Sequence, residues 1–227
     1  MVLPSGQLSD DERYVRELEE TIAKFMSPLR DIPFAVVMKA ISGFAVLPFD
    51  RKNPSDASLL TRLTSGLDKA TAEANREGIF TNRPNEVGNH IEPFVKNALN
   101  QVKCRATVPR TKKGIHRSAG YPDIEIRDID GRLSYLECKT YNIRSEDSSF
   151  RAFYLQPSED VKITADARHL LVGFEIESAT RRSKAAYVPT KWRLYTLENL
   201  QVQVKHEFNA SNIDIYRDDS LLARGSI

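Results

Sequence analysis

Apolar residues in the first part of the chain recur at the three- and four-residue spacing of amphipathic helices. Ser9 and Glu12 form an S-x-x-E capping box, a pattern that begins helices. Residues 10–26 continue it with an apolar stripe, and residues 34–42 are mostly apolar. The pattern therefore predicts one amphipathic helix followed by a second, buried helix.

Two longer helices are expected next. A stripe of leucine and alanine starts near Asp56 and predicts a helix that runs to Glu77 and ends at Gly78, because glycine adopts the left-handed backbone that stops a helix. Asn85 is the expected N-cap of the following helix. Pro93 lacks an amide hydrogen and is expected to kink or break that helix.

From about residue 104 the pattern changes to the alternation of β-strands, rich in β-branched and aromatic residues. A short helix is expected over residues 158–166. Helices followed by strands predict an α/β or α+β fold, with a central mixed β-sheet flanked by helices. The expected strands are 104–109, 121–128, 132–141, 168–177, 192–197 and 201–208.

Composition is that of an ordinary globular protein, with 41% hydrophobic and 28% charged residues. The longest apolar stretch is interrupted by Lys39 and prolines, so no membrane span is expected. The N-terminal residues show no basic start followed by an apolar block, so no secretory signal is expected. Two cysteines are too few for a disulfide framework and fit a reducing cytoplasm.

The distribution of charge is more informative than the net charge of +2. Residues 103–117 carry six lysine and arginine residues and no acidic residue, and they lead directly into "YPDIEI" at residues 121–126. Such a run is either a solvated loop or a surface for a phosphate backbone. The acidic segment that follows favours the second interpretation.

"YPDIEI" is followed by "LECKTY" at residues 136–141, and Asp130-Gly131 between them is a strong hairpin signal. The loop length decides which side chains share a face, because directly opposed residues on antiparallel strands point the same way. A two-residue loop would send Asp123 and Glu137 to opposite faces. A three-residue loop would set them opposite each other.

The hydrophobic pattern favours the three-residue loop, in which Gly131 takes a left-handed conformation. Lys139 then joins Asp123 and Glu137 on one face. Carboxylate oxygens suit Mg²⁺, with Mn²⁺ as a substitute, and a lysine beside the metal can orient or deprotonate a water. The apolar side chains on the other face are those of Ile124, Ile126, Leu136 and Cys138.

"PD" at 122–123 followed by "ECK" at 137–139 resembles the PD-(D/E)xK nuclease superfamily, and the likeness covers about residues 84–177. Within it the chain is most similar to type II restriction enzymes, in particular to a group that cuts the palindrome GGCC. The resemblance implies an Mg²⁺-dependent endodeoxyribonuclease that cuts double-stranded DNA at a short palindrome as a cytoplasmic homodimer. It implies a restriction-endonuclease-like core. Because no linker long enough to divide two domains is visible, one nuclease domain is expected over residues 1–227, with a helical part (1–83), a catalytic core (84–208) and a C-terminal tail (209–227).

Many type II enzymes of this superfamily carry a further glutamate on the helix before the hairpin. Glu86 is expected in that catalytic and metal-binding role, and a first-turn acid that favours the helix dipole is the structural alternative. Glu92 is the competing residue, interpreted as a solvated charge beside Pro93. The other site residues that the resemblance implies are Asp123, Glu137 and the Cys138 carbonyl as metal ligands, and Lys139 for the catalytic water.

Basic residues are candidates for DNA contacts, to phosphates or to base edges, with an ordinary surface position as the alternative for each. Two other functions stay open: a structure-specific or repair nuclease of the same superfamily, and a DNA-binding protein that keeps the fold without catalysis. The candidate DNA-binding residues are Lys112, Lys113, His116, Arg117, Arg144, Arg151, Arg181, Arg182 and Lys184.

Overall fold

The structure is a computed structural model of the 227-residue chain. It describes residues 9–26, 29–82, 86–142, 153, 155, 159–204, 211, 213, 217, 219 and 221–223. Two compact units are present, one from Met1–Ile32 and Val202–Ile227 and the other from Pro33–Gln201. The arrangement of residues 1–227 as one domain stays a prediction.

The part of the chain that the structure describes contains four α-helices, all where the apolar spacing predicts them. None of these helices is both long enough and apolar enough to cross a membrane. The expected N-cap at Asn85 lies outside the described residues. The helices are α1 (Asp10–Met26), α2 (Phe34–Ser42), α3 (Pro54–Glu77) and α4 (Val87–Gln101).

Side-chain caps explain where two of these helices begin. The Ser9 amide donates to Glu12 Oε2 at 2.8 Å, and the Glu12 amide donates to Ser9 Oγ at 3.2 Å, which is the predicted capping box. Asn53 Oδ1 accepts two amides of the first turn of α3 at 3.0 and 3.3 Å, a cap worth about 1 kcal/mol. Gly78 ends α3 with a φ of 77°, and α4 continues through Pro93.

The described strands are β1 (Ile32–Pro33), β2 (Arg105–Thr107), β3 (Ile124–Arg127), β4 (Leu133–Tyr141), β5 (Arg168–Arg181), β6 (Lys184–Thr196) and β7 (Gln201–Val202). Five of them form a mixed sheet in the order β2-β3-β4-β5-β6, in which β4 and β5 are parallel and the other neighbours are antiparallel. This agrees with the predicted fold class.

Several local predictions differ from the structure. Helix α2, expected to be buried, is only partly so, since Phe34, Met38 and Ser42 are its buried residues and Val36 is 57% exposed. The strand expected over residues 201–208 covers only Gln201–Val202 of the described residues 201–204.

The described residues 159–166 contain no helix, because their polar groups bond neighbouring loops instead of one another. Strands β5 and β6 are longer than expected and meet at a two-residue turn, Arg182-Ser183, with φ values of 49° and 59°. Positive φ at both positions matches the twist of a tight hairpin.

The main hydrophobic core lies between the sheet and helices α3 and α4. Leu63, Ile91 and Val95 from the helices are fully buried, and Ile126 and Val172 meet them from the sheet. Truncating a buried leucine or isoleucine of this kind to alanine costs about 2–5 kcal/mol. This packing fixes β3 and β4, the two strands that carry the acidic segments.

Candidate active site

The β3–β4 hairpin adopts the predicted three-residue loop. Ile124 pairs with Leu136, and the register continues unbroken to the loop. The Gly131 amide donates to the Asp128 carbonyl at 3.0 Å, and Gly131 has a φ of 76°. The register and the apolar face are therefore confirmed, because the four side chains expected on that face, Ile124, Ile126, Leu136 and Cys138, are at most 3% exposed.

The hairpin brings Asp123, the residue directly before β3, together with Glu137 and Lys139 of β4. The carboxyl groups of Asp123 and Glu137 lie close enough to influence each other's pKa. Asp123 Oδ2 accepts the Cys138 amide at 2.8 Å, and Lys139 Nζ donates to Glu137 Oε1 at 2.6 Å. The other oxygen, Glu137 Oε2, is buried and has no hydrogen-bond partner among the described residues.

The two carboxyl groups strongly influence each other. Burial raises the pKa of both Asp123 and Glu137, and the charge of Asp123 raises the pKa of Glu137 further. Lys139 opposes both shifts. Although burial lowers the pKa of Lys139, the Glu137 carboxylate more than compensates and raises it overall. Neighbouring like charges disfavour ionisation, so a proton or a cation close to the two carboxyl groups would stabilise the pair.

Glu92 on α4 is a third carboxylate of the site. It is half-buried, and burial together with the charges of Asp123 and Glu137 raises its pKa to about 7. Glu86 lies at the N-cap of α4, about 9 Å away along the helix axis, and accepts a hydrogen bond from Thr81 at 3.2 Å. Glu92 is therefore partly buried and is not the solvated charge that was expected. The role expected of Glu86 stays a prediction.

The donor atoms fit a hard divalent cation. The site combines carboxylates that repel one another with a buried oxygen, Glu137 Oε2, that has no partner. Within the described residues, no group of three or more His, Cys, Asp or Glu side chains encloses a metal position as the side chains stand. Lys139 and the Cys138 amide occupy two of the oxygens that a metal would share.

The basic run forms a small hairpin over residues 110–117, which we call the basic hairpin. An isolated bridge joins Arg110 to His116, and the Thr111 amide donates to the Ile115 carbonyl at 2.9 Å. Four of the predicted DNA-binding residues lie on it, all exposed, and none forms an ion pair with a described residue: Lys112, Lys113, His116 and Arg117. The basic hairpin therefore presents open positive charge beside the loop that leads to Asp123.

A second predicted group of basic residues lies far from the carboxylates. Gly173 of β5 is directly opposite Lys139, and Arg182 follows nine residues later at the β5–β6 turn. At about 3.3 Å per residue this places the turn roughly 30 Å along the strand from Lys139. The structure therefore does not bring this group, Arg181, Arg182 and Lys184, to the carboxylate site.

Two members of that group already have protein partners. The Arg181 guanidinium donates to the Asn75 carbonyl at 2.8 Å and to Asn75 Oδ1 at 2.9 Å. Arg182 lies 3.6 Å from a carboxylate oxygen of Glu77 in an exposed ion pair, which is worth at most about 1 kcal/mol. Arg144 and Arg151 lie outside the described residues.

Lys162 is a candidate that the sequence analysis missed. Its side chain is buried, and its ammonium donates to the main-chain carbonyls of Ser118, Gly120 and Pro122. In the sequence it is a single lysine without spacing to any motif. Only the fold brings it to the loop in front of Asp123.

Comparisons with a family model and a curated relative identify the class of enzyme. Residues 28–219 match the model of the type II restriction enzyme MjaV family. The type II restriction enzyme MjaV of Methanocaldococcus jannaschii is 37% identical over 228 residues, covering 94% of this chain and 97% of the relative. The crystal structure of the tetrameric restriction endonuclease SfiI bound to cognate DNA aligns with 66% of this chain and 66% of that chain, with 16% identity and a TM-score of 0.39.

The chain is therefore a DNA-binding, site-specific endodeoxyribonuclease of the type II restriction class. Within that class, it belongs to the type II restriction enzyme MjaV family. The expected class is confirmed, and the GGCC specificity stays a prediction.

Proposed function

We propose that this restriction enzyme is a PD-(D/E)xK nuclease that hydrolyses both strands of a short palindromic DNA duplex with Mg²⁺ as its cofactor. Asp123, Glu137 and the Cys138 carbonyl would hold the ion, and Mn²⁺ would substitute for it. The observation that carries this proposal is the convergence of Asp123, Glu137 and Lys139 on the β3–β4 hairpin. Glu92 takes the role that was expected of Glu86.

The residues divide the chemistry between them. Bound Mg²⁺ would polarise the scissile phosphate and increase the acidity of a water. The raised pKa of Lys139 keeps its ammonium charged, so its part is to orient the attacking water and to offset charge that develops on the phosphate. A carboxylate such as Glu92, with a pKa of about 7, is suited to accept the proton of that water near neutral pH.

The basic hairpin is the proposed contact with the phosphate backbone near the cut. Its exposed cations and its position ahead of Asp123 support this assignment. Arg182 and Lys184, roughly 30 Å along the sheet, are proposed to contact flanking DNA about nine base pairs away, at 3.4 Å per pair. Arg144 and Arg151 remain expected DNA contacts.

A homodimer is proposed because a palindromic site is matched by two-fold protein symmetry. Helix α1 supports it with apolar residues at 3-4-3 spacing, the spacing of a helix-pairing seam. These residues are 36–54% exposed: Val15, Leu18, Ile22 and Phe25. A cytoplasmic location, expected from the cysteine content, goes with this function.

Digestion of a sequenced plasmid with and without Mg²⁺, followed by mapping of the ends, tests the proposal. We expect discrete fragments only when the divalent cation is present, with ends at one short palindrome, and GGCC is the first sequence to compare with the mapped ends. Sedimentation of the protein at assay concentration tests the dimer. Cleavage confined to flaps, junctions or mismatches would replace restriction by a structure-specific nuclease, and specific binding without cutting would leave a non-catalytic DNA-binding protein.

A further inference from the structure

Lys162 is a buried ammonium group that is saturated by main-chain oxygens. Its side chain is 4% exposed. Its Nζ donates to the carbonyls of Ser118 at 3.0 Å, Gly120 at 2.5 Å and Pro122 at 2.8 Å. An ammonium has three N–H donors, so every one of them is used. The loop over residues 118–122 is thus wrapped around a single fixed charge.

This loop leads directly into the carboxylate site. Pro122, whose carbonyl accepts one of the three bonds, is the residue before Asp123. The Lys162 charge also lowers the pKa of Asp123, Glu137 and Glu92. It is therefore close enough to all three carboxylates to influence them, although its hydrogen bonds go to the main chain.

The two residues before Lys162 hold the basic hairpin. The Lys112 amide donates to the Val161 carbonyl at 3.0 Å, and the Lys113 amide donates to Asp160 Oδ1 at 3.1 Å. Residues 160–162 therefore bond the basic hairpin at one end and the loop in front of Asp123 at the other. Three consecutive residues link the proposed DNA contact to the proposed metal ligand.

We propose that Lys162 is a positioning residue for cleavage, and that residues 160–162 set the location of Asp123 relative to DNA held by the basic hairpin. This inference rests on the proposed function. A buried charge requires compensating contacts, and here the compensating contacts are the carbonyls that define the path of the chain into Asp123. Without the ammonium, the main chain of residues 118–122 would lose its three hydrogen bonds to Lys162 and Asp123 would shift. The exposed cations of the basic hairpin would remain.

The test compares Lys162→Met with wild type on a duplex that carries the mapped cleavage site. We expect the single-turnover rate at saturating enzyme to fall about 10²-fold, the loss produced by a displacement of about 1 Å in a catalytic group. We expect the Kd for the same duplex, measured with Ca²⁺ in place of Mg²⁺, to change by less than about threefold. The affinity for Mn²⁺, measured by calorimetry without DNA, should fall because Asp123 is less well placed.

Lys69→Met is the matched control, since Lys69 is exposed on α3 and the substitution should change none of these quantities. A folded Lys162→Met protein with wild-type rate and wild-type Mn²⁺ affinity would overturn the inference, and so would a Kd that rises in step with the loss of rate.

If Lys162→Met does not fold at the assay temperature, the Lys162→Arg variant is measured instead. It keeps the charge but changes the donor directions, so we expect a folded protein that cleaves at least about 10-fold more slowly, and a wild-type rate would refute the inference. Failure of the wild type to cleave would refute the proposed function, whereas the Mn²⁺ comparison would still test Lys162.

Discussion

Replacement of Glu92 by glutamine should stabilise the metal-free protein at alkaline pH. Burial and the charges of Asp123 and Glu137 raise the pKa of Glu92 from 4.5 to about 7. A tenfold change in proton affinity corresponds to about 1.4 kcal/mol, so this shift in a fully buried group would cost roughly 3 kcal/mol on ionisation. Glu92 is only half-buried, and solvent screening reduces the cost to about 1–2 kcal/mol.

The pH dependence has a definite sign. Between about pH 4.5 and 7 the unfolded chain has lost the Glu92 proton while the folded protein still holds it, so the free energy of unfolding falls as pH rises through this window. Glutamine does not titrate. We therefore expect Glu92→Gln to exceed wild type by about 1–2 kcal/mol at pH 8 and to match it near pH 4.5.

Urea denaturation followed by circular dichroism in the presence of EDTA measures this difference. Glu86→Gln, at the N-cap of the same helix, is the matched control, and we expect it to change the free energy of unfolding at pH 8 by less than about 0.5 kcal/mol. Adding Mn²⁺ at alkaline pH should stabilise wild type more than Glu92→Gln, because a cation that binds the folded state adds to its stability. A Glu92→Gln protein no more stable than wild type at pH 8, or an equal gain in Glu86→Gln, would refute the reasoning.

Three further substitutions test other parts of the structure. Gly131→Ala places a side chain at a φ of 76°, so we expect a loss of about 1–2 kcal/mol by urea denaturation; no loss would contradict the left-handed loop. Asp56→Asn breaks the buried ion pairs that Asp56 Oδ1 makes with Arg132 at 2.6 Å and with Arg168 at 2.7 Å. We expect the free energy of unfolding to fall by about 3 kcal/mol, and an unchanged Tm in thermal unfolding would show that these ion pairs do not stabilise the fold. Changing both Lys112 and Lys113 to glutamine should reduce the slope of log Kd against log salt by about 0.9 for each lost phosphate contact; an unchanged slope in binding titrations would remove the basic hairpin from the interface.

The β3–β4 hairpin could be predicted in detail because its determinants are local. Asp130-Gly131 marks the turn, and the alternation of apolar residues on either side permits only one register with a buried face. The convergence of Asp123, Glu137 and Lys139 follows from that register alone. The four described helices were predictable for a similar reason, since α1, α3 and α4 each have a continuous apolar stripe and α2 is mostly apolar.

The parts that could not be predicted depend on contacts distant in sequence. Glu92 stands beside a proline in mid-helix, and nothing local shows that α4 carries it to the carboxylates. Lys162 has no motif, because its partners are main-chain carbonyls some forty residues earlier in the chain. The Arg182-Ser183 turn contains neither glycine nor asparagine, so its positive φ values have no sequence signature. The predicted strands at this hairpin are therefore shorter than the observed β5 and β6.

The most direct test of the central claim is single-turnover cleavage by Asp123→Asn with Mg²⁺, on a duplex that carries the mapped site. Asp130→Asn is the control, because Asp130 is an exposed carboxylate in the turn of the same hairpin. We predict that Asp123→Asn binds the duplex but cleaves at least about 10²-fold more slowly, while Asp130→Asn cleaves at the wild-type rate. An Asp123→Asn rate within about threefold of wild type would contradict the assignment of this hairpin as the catalytic site.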